Sequence, residues 1–463
     1  MFDKSVYVSR RKVLLESVGE GLIVLLGNGE APCNYGDNTY LFRQDSTFLY
    51  YFGLDRPDFA ATLDAESGEV VIYGNDVDID DIIWMGPQPS VAEQAAEVGV
   101  GSSAPFTALA QVLRSAQKKG RTVHFLPPYR DAQKIYLNEV LGVPFGAMKE
   151  SASEKLIRAV AAQRLIKEPC EIEEIDKACN LGYAMHYAAM KMLRLGMVEQ
   201  ELVGVMEGVC ASEGYMCSFP TILSQHGETM HNHGHDGVLT EGRLLLIDAG
   251  CELKSHYCSD NTRTLPTSGR FTQKQADIYT IVSTANQFVV ENARPGLTYR
   301  DMHLGAARII VQGLSNLGLV QGDVEEMVAA GVQGLFMPHG LGHNMGLDVH
   351  DMENLGENYV GYDPDQKRAS QLGLGSLRMA RRLRPGHVIT DEPGIYFIPA
   401  LIEQWKKEGH NAQYINFSKL ESYYDFGGIR LEDDILITES GARLLGSKRL
   451  PITVEDVENE MKN

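Results

Sequence analysis

No apolar run in the 463-residue chain approaches the ~18 residues that a membrane-spanning helix needs. The N-terminal stretch MFDKSVYVSRRKVLLESVGEG has neither the apolar h-region nor the small-residue cleavage site of a secretory signal. Cysteine is sparse. There are seven, an odd number with no CxxC spacing, which argues against a disulfide framework or a zinc ribbon. These absences set the expectation of a reducing, cytoplasmic compartment and no membrane partner. Positive charge is short too: 42 Lys and Arg against 62 Asp and Glu leave a net charge of −20. Such a surface repels phosphate backbones, so no nucleic-acid partner is expected. The one basic cluster is Arg378, Arg381, Arg382 and Arg384. GxSxG, GxxxxGK[ST] and HExxH are all missing, and GARLLGSK at 441–448 displaces the lysine a phosphate loop requires. GNGEAP, after the apolar LIVLLG, puts Pro32 where a dinucleotide-binding turn has its third glycine.

What is present reads as two domains. LIVLLG (22–27), the pair within FAATLDAESGEVVIY (59–73) and TVHFL (122–126) read as strands, with helical pattern at 90–98 and 106–118 between them. Residues 1–160 are therefore expected to form an α/β domain. The boundary falls in 147–169, where Leu156, Ile157 and Val160 suggest a packed helix rather than a loose linker. Helices are expected near 171–195 and 199–212, then strands in MCSFPTILS, RLLLIDAGCEL and TRTLP. Thr272 with Gln275, and Thr298 with Asp301, are capping-box starts for two further helices. Strands return at 387–398 and 428–438. The order helices, strands, helices, strands makes 161–463 an α+β domain of two similar halves.

Chemistry-bearing residues concentrate in that second domain. Asp248 ends an apolar strand in LLLIDAG, and Asp260 opens another; a hairpin would set them side by side. Glu392 stands at a strand end in VITDEPGIYF. Glu432 lies in GGIRLEDDILIT, where alternation puts Arg430, Glu432 and Asp434 on one face and Ile429, Leu431 and Asp433 on the other. Carboxylates inside apolar strands are costly to bury unpaired, and a shared cation removes that cost. FMPHGLGHNMGLDVHD (336–351) adds His339, His343 and His350, and HGETMHNHGHDG adds His226, His231, His233 and His235. Four strand-borne carboxylates with one or more histidines of 336–351 would make an oxygen-rich, nitrogen-poor set, which suits Mn²⁺, Fe²⁺, Co²⁺ or Zn²⁺, as one ion or two. Each piece also has a plainer use: Asp248 and Glu392 as turn residues, Glu432 on a strand surface, the histidines in solvated loops.

HGLGH, VHD, DEPG and GIRLEDD, preceded by IDAG and SDNTRTLP, resemble the metal-dependent pita-bread peptidases, which include methionine aminopeptidase, aminopeptidase P and prolidase. YLFRQDSTFLYYFG resembles the N-terminal domain shared by the last two, and RLIKEPCEIEEIDKA the start of their catalytic domain. The resemblance implies a C-terminal pita-bread domain, two pseudo-symmetric α+β halves around an antiparallel sheet. It implies two divalent ions, most simply Mn²⁺, with Co²⁺ or Zn²⁺ as alternatives. Asp248 would hold one ion, Asp260 and Glu432 would bridge, and His343 and Glu392 would hold the other. Glu392 would also shuttle a proton, while His231, His339 and His350 would face substrate and Arg430 would stand beside the metals. Asp391, where relatives usually carry valine, should be silent. Asp248 and Asp260 are twelve apart where relatives show eleven, and a bulge around Lys254–Tyr257 would absorb the extra residue. PHGLGH and SLRMARRLRPG resemble the prolidase branch, in which Arg378 would grip the C-terminal carboxylate of an Xaa-Pro dipeptide. If Arg378 is instead a surface charge, longer Xaa-Pro peptides enter, as in aminopeptidase P. A binding module that has lost its metals is the reading from another class, disfavoured because every ligand type is present. A homodimer is expected, with the aromatic run Phe48, Tyr50, Tyr51 and Phe52 serving either that surface or the core.

Overall fold

The computed structural model describes residues 2–462. The chain divides into two compact units. One runs to Arg164 and takes in Met352–Val360; the other comprises Leu165–Asp351 and the chain from Gly361 onward.

In the first unit, Leu22–Leu26 is apolar throughout because it lies inside a mixed sheet. It pairs antiparallel with Ala60–Asp64 and parallel with Val123–His124, and Val70–Tyr73 and Ser102–Ala104 extend the far edge. Helix Ala108–Lys118 presents Leu109, Leu113 and Ala116 to the core, a single face at helical spacing. The aromatic run sits in helix Ser46–Phe52 and is buried, with the Arg10 guanidinium 3.9 Å over the Tyr50 ring. These rings belong to the core, so the partner-surface use of them is corrected. The stretch before the second unit is a packed helix, Glu154–Arg164, burying Leu156, Ile157 and Val160.

The second unit repeats one plan. Helices Pro169–Met192 and Glu199–Glu213 precede an antiparallel sheet of Ile222–Ser224, Leu244–Ala249 and Asn261–Pro266. Capping boxes at Thr272 and Thr298 open helices Gln273–Asn292 and Tyr299–Asn316. A second antiparallel sheet follows: Val388–Asp391, Asp433–Ile437 and Ala442–Leu444. A bridge between Thr262 and Glu432 joins the halves. Arg263, wholly buried, fixes this junction by donating to the carbonyls of Thr262, Glu432 and Pro451 and to the Asp433 carboxylate.

Two expected strands are broken. The 387–398 segment splits into Val388–Asp391 and Gly394–Tyr396 around Glu392–Pro393, where proline has no N–H to offer a ladder. The 428–438 segment splits into Gly428–Arg430 and Asp433–Ile437 around Leu431–Glu432. Gly394–Tyr396 and Gly428–Arg430 pair with each other, away from the second sheet. Glu392 and Glu432 thus stand where the chain passes between sheets. The hairpin after Asp248 keeps its register from Asp248 opposite Thr262 to Glu252 opposite Cys258. Leu253 N–H then donates to the Tyr257 carbonyl at 3.0 Å, leaving Lys254–His256 as a three-residue turn with His256 at φ 66°. The extra residue is therefore taken up in the turn, with no bulge in the ladder.

Candidate metal centre and active site

The strand breaks and the glycine-rich loop converge on one cavity of about 450 Å³. Asp248, Asp260, His343, Glu392 and Glu432 line it, together with His231, His339, His350, Arg378 and Arg430. Sequence spacing alone left these residues as separate loops and strand ends. The cavity also takes in Phe219, Ile222 and Met230, which the sequence reading did not single out, and His233 of the histidine-rich tract. His226 and His235 are not among the lining residues.

HGLGH forms neither helix nor strand, as its glycine content favours, and from Leu341 it bonds alongside Val388–Asp391. Glu392 N–H donates to the Leu341 carbonyl at 2.9 Å, Thr390 N–H to the His343 carbonyl at 3.0 Å, and His343 N–H to Thr390 Oγ1 at 3.0 Å. A Cβ on Gly342 would sit 2.0 Å from the Thr390 carbonyl oxygen, so this close approach needs glycine. His343 Nδ1–H donates to the Asn344 carbonyl at 3.1 Å, leaving Nε2 as a lone pair. That nitrogen faces Asp260 Oδ2 at 3.4 Å and Glu392 Oε1 at 3.8 Å. Ligand atoms of Asp260, His343 and Glu432 all lie within 4.8 Å of one another. Alternation through GIRLEDD holds as far as the cavity: Arg430 and Glu432 reach it. Asp433 turns to Arg263 and Arg449, and Asp434 accepts the Asp260 N–H at 3.0 Å behind the site.

A second ring fixes these groups. Arg430 donates to Asp248 Oδ2, to Thr262 Oγ1 at 3.1 Å and to the Tyr396 hydroxyl at 2.8 Å. Tyr396, having accepted that bond, donates its own proton to His339 Nε2 at 2.9 Å, and His339 Nδ1–H goes to the Gly340 carbonyl at 2.7 Å. Thr262 Oγ1 donates to Glu432 at 2.7 Å. Tyr396 has no signal in the sequence beyond lying in an apolar strand, and Thr262 reads only as one threonine of SDNTRTLP.

Electrostatics set the chemistry. Burial, and then the neighbouring carboxylates, hold Asp260 and Glu432 well above the usual carboxyl range, and burial raises Glu392. Burial also lowers the histidines, His339 to about 3, with His231, His343 and His350 shifted the same way. The shifts keep all four neutral at physiological pH. The buried oxygens Asp248 Oδ1 and Asp260 Oδ1 find no hydrogen-bond partner among the described residues. Orphaned acceptors, crowded like charges and one aimed imidazole fit a divalent cation. The buried and unpartnered Asp391 carboxyl lies outside the cavity, opposite Asp433.

A profile of Metallopeptidase family M24 matches residues 173–439, and one of the aminopeptidase P N-terminal domain matches residues 7–124. The chain belongs to family M24. Among similar members, a human Xaa-Pro dipeptidase is 32% identical over 454 residues, covering 96% of this chain and 89% of that protein. A probable Xaa-Pro aminopeptidase of Metarhizium acridum is 32% identical over 464 residues, covering 93% and 89%. Zinc-substituted Escherichia coli aminopeptidase P with product superposes with a TM-score of 0.81 at 27% identity, covering 100% of this chain and 98% of that one. The N-terminal domain and the pita-bread domain are thus both those of this M24 branch, and the protein is a metallopeptidase.

Two outcomes follow. Raised carboxyl pKa values mean that the metal-free site carries protons, which a cation must expel. Cation affinity therefore rises with pH, and the Kd for Mn²⁺ should fall about tenfold per pH unit for each proton released between pH 6 and 8. Titration calorimetry in buffers of different ionisation enthalpy measures both numbers; a pH-independent Kd would contradict the assignment. Asp391 is likewise held well above the usual range by burial, so its protonated form suits the fold and stability is lost as pH climbs past its unfolded value. Asp391→Val should raise stability at pH 8 by about 1–3 kcal/mol, with a smaller gain at pH 4, and leave metal content unchanged. Thermal midpoints at the two pH values check this.

Proposed function

We propose that this M24 peptidase hydrolyses the imide bond of Xaa-Pro dipeptides, using two divalent cations, with Mn²⁺ as the working ion. Asp248, Asp260, His343, Glu392 and Glu432 would hold them. Cations bound there supply an acidified water and polarise the scissile carbonyl. The chain's own groups do the rest. Glu392 lies with Oε2 3.7 Å from His339 Nδ1 and with Oε1 3.4 Å from the Thr390 hydroxyl. Its raised pKa suits it to take a proton and return it to the departing proline nitrogen. His231 and His350, neutral, would donate N–H to the substrate oxygen as charge develops, and His339 would steady Glu392.

The observation that carries the dipeptidase reading is Arg378. It is half-buried in the cavity wall, with Glu392 close enough to offset part of its desolvation. It is therefore not a charge on a solvated face, and its fork suits the carboxylate of a C-terminal proline. The second reading, an Xaa-Pro aminopeptidase acting on longer peptides, is favoured by the full-length match to the E. coli enzyme. Hydrolysis of Ala-Pro and Ala-Pro-Ala with Mn²⁺ separates the two, with Glu432→Ala as the blank. Under the dipeptidase reading Ala-Pro is cleaved preferentially, and Arg378→Met raises its KM at least tenfold, about 1.4 kcal/mol of lost binding. Preferential cleavage of the tripeptide, unaffected by Arg378→Met, establishes the aminopeptidase. A protein that binds no metal would instead be a binding module.

We also place the protein in the cytoplasm as a homodimer. No disulfide joins its cysteines among the described residues, and no helix there is long and apolar enough to cross a membrane. Helix Ile79–Met85 exposes Ile79, Ile83, Met85 and Trp84, the last 86% accessible. An apolar cluster of this kind marks a protein-binding face. Light scattering should give twice the chain mass for the native protein and the monomer mass for Ile83→Glu/Trp84→Glu. A native monomer excludes the dimer.

A further inference from the structure

His350 stands in a stretch, 346–351, that is neither helix nor strand, yet its ring is held 3.9 Å from that of His343. The next residue, Asp351, carries the fastening. Lys167 Nζ donates to Asp351 Oδ2 at 2.9 Å, and both side chains are 1% exposed. The other carboxylate oxygen accepts from Asp348 N–H at 3.4 Å. Asp351's own N–H donates to the Asn344 carbonyl at 2.9 Å, beside the His343 ligand position. Gly346 passes directly under the pair: a Cβ there would meet Asp351 Oδ2 at 2.8 Å and Lys167 Cε at 2.9 Å. The lysine is anchored in turn. Its backbone N–H donates to the Gly386 carbonyl at 2.9 Å, two residues before the strand that leads into Glu392.

A buried ion pair is a poor way to add stability, because desolvating two charges offsets their attraction. What it adds is direction. The ammonium ties the His350 loop to the Glu392 strand at a fixed point, and the carboxylate folds the loop back on its own amides.

We propose that the Lys167–Asp351 pair positions His350 over the reaction centre, making Lys167 a positioning residue for the peptidase reaction; this rests on the peptidase reading above. The test uses Lys167→Met, Lys167→Arg and Asp351→Asn, each alone and combined with His350→Ala, in the full-length protein. Mn²⁺-loaded turnover of Ala-Pro and Ala-Pro-Ala, bound metal and thermal midpoint are measured for each. A misplaced group of this kind should lower kcat/KM about a hundredfold in Lys167→Met. Metal content should stay native, the loss should add nothing to that of His350→Ala, and Lys167→Arg should recover most of it. Native kcat/KM with only a lowered thermal midpoint overturns the proposal. So does a loss that multiplies with that of His350→Ala. Should Lys167→Met not fold, Asp351→Asn carries the same test, since it keeps an acceptor for Asp348 N–H and removes the charge. The imidazole resonances of His350, assigned by their loss in His350→Ala, give a readout independent of turnover in metal-free ¹⁵N-histidine-labelled protein. They should shift in Lys167→Met while those of His186, which bonds the Ala249 carbonyl, stay put; unshifted His350 resonances overturn the proposal even if the native enzyme cleaves neither peptide.

Discussion

Buried like charge is the constraint on which the catalytic unit depends. Asp248, Asp260, Glu392 and Glu432 meet around one imidazole in a cavity where water screens them poorly. Without cations the crowding favours protons on Asp260 and Glu432, and their raised pKa values express that pressure. Every nearby feature reads as a way to keep the groups together regardless. The strand of each half delivers its carboxylate to a place where the ladder stops. Glu392 precedes a proline, and Glu432 falls between two short strands that belong to different sheets. A carboxylate within a continuous ladder would have had cross-strand neighbours on its own face. One at a break can turn toward the cavity.

Two arginines divide the remaining work. Arg263 sits wholly inside the junction of the halves and spends its donors on backbone carbonyls and Asp433, which keeps Asp433 below the usual carboxyl range. Arg430 faces the other way and gives a hydrogen bond to Asp248, so Asp248 differs from Asp260 and Glu432 in already having a cation beside it. Through Tyr396 the same guanidinium fixes which nitrogen of His339 bears the proton. One side chain therefore sets both a carboxylate's charge balance and a histidine's tautomer. Lysine, with its point charge, would not hold three partners in these directions.

Much of this was legible in the sequence wherever the signal is local. The capping boxes at Thr272 and Thr298 use residues three apart, and both helices open there. Acidic residues inside apolar strands were conspicuous because burial penalises them, and the fold gathers the singled-out carboxylates with His343. The illegible parts depend on tertiary neighbours. The breaks at Glu392 and Glu432 arise from pairing between distant segments, which alternation within one segment does not encode. Tyr396 looks like any strand tyrosine until Arg430 and His339 reach it. The run from Phe48 to Phe52 suits a core or an interface equally by composition, and only burial decides. Arg378 shares its arginine-rich stretch with Arg381 and Arg382, which turn to Asp363, while Arg378 alone of the three lines the cavity.

Charge counting bears on how many ions the site favours. Four carboxylates with Arg430 carry a formal charge of −3 once deprotonated. One divalent ion leaves that crowd under-neutralised in a low-dielectric pocket, so at least one carboxyl would keep its proton and be lost as a ligand. Two divalent ions bring the sum to +1, which frees every carboxylate to coordinate and leaves the cavity attractive to an anion. The lowered histidines point the same way: neutral imidazoles add no charge of their own to the pocket. With two such ions bound and Arg378 at the wall, a substrate carrying its own carboxylate would meet a pocket whose excess charge is positive, although the chain as a whole is strongly acidic. Such a local reversal of sign would let a net charge of −20 coexist with the binding of small zwitterionic peptides.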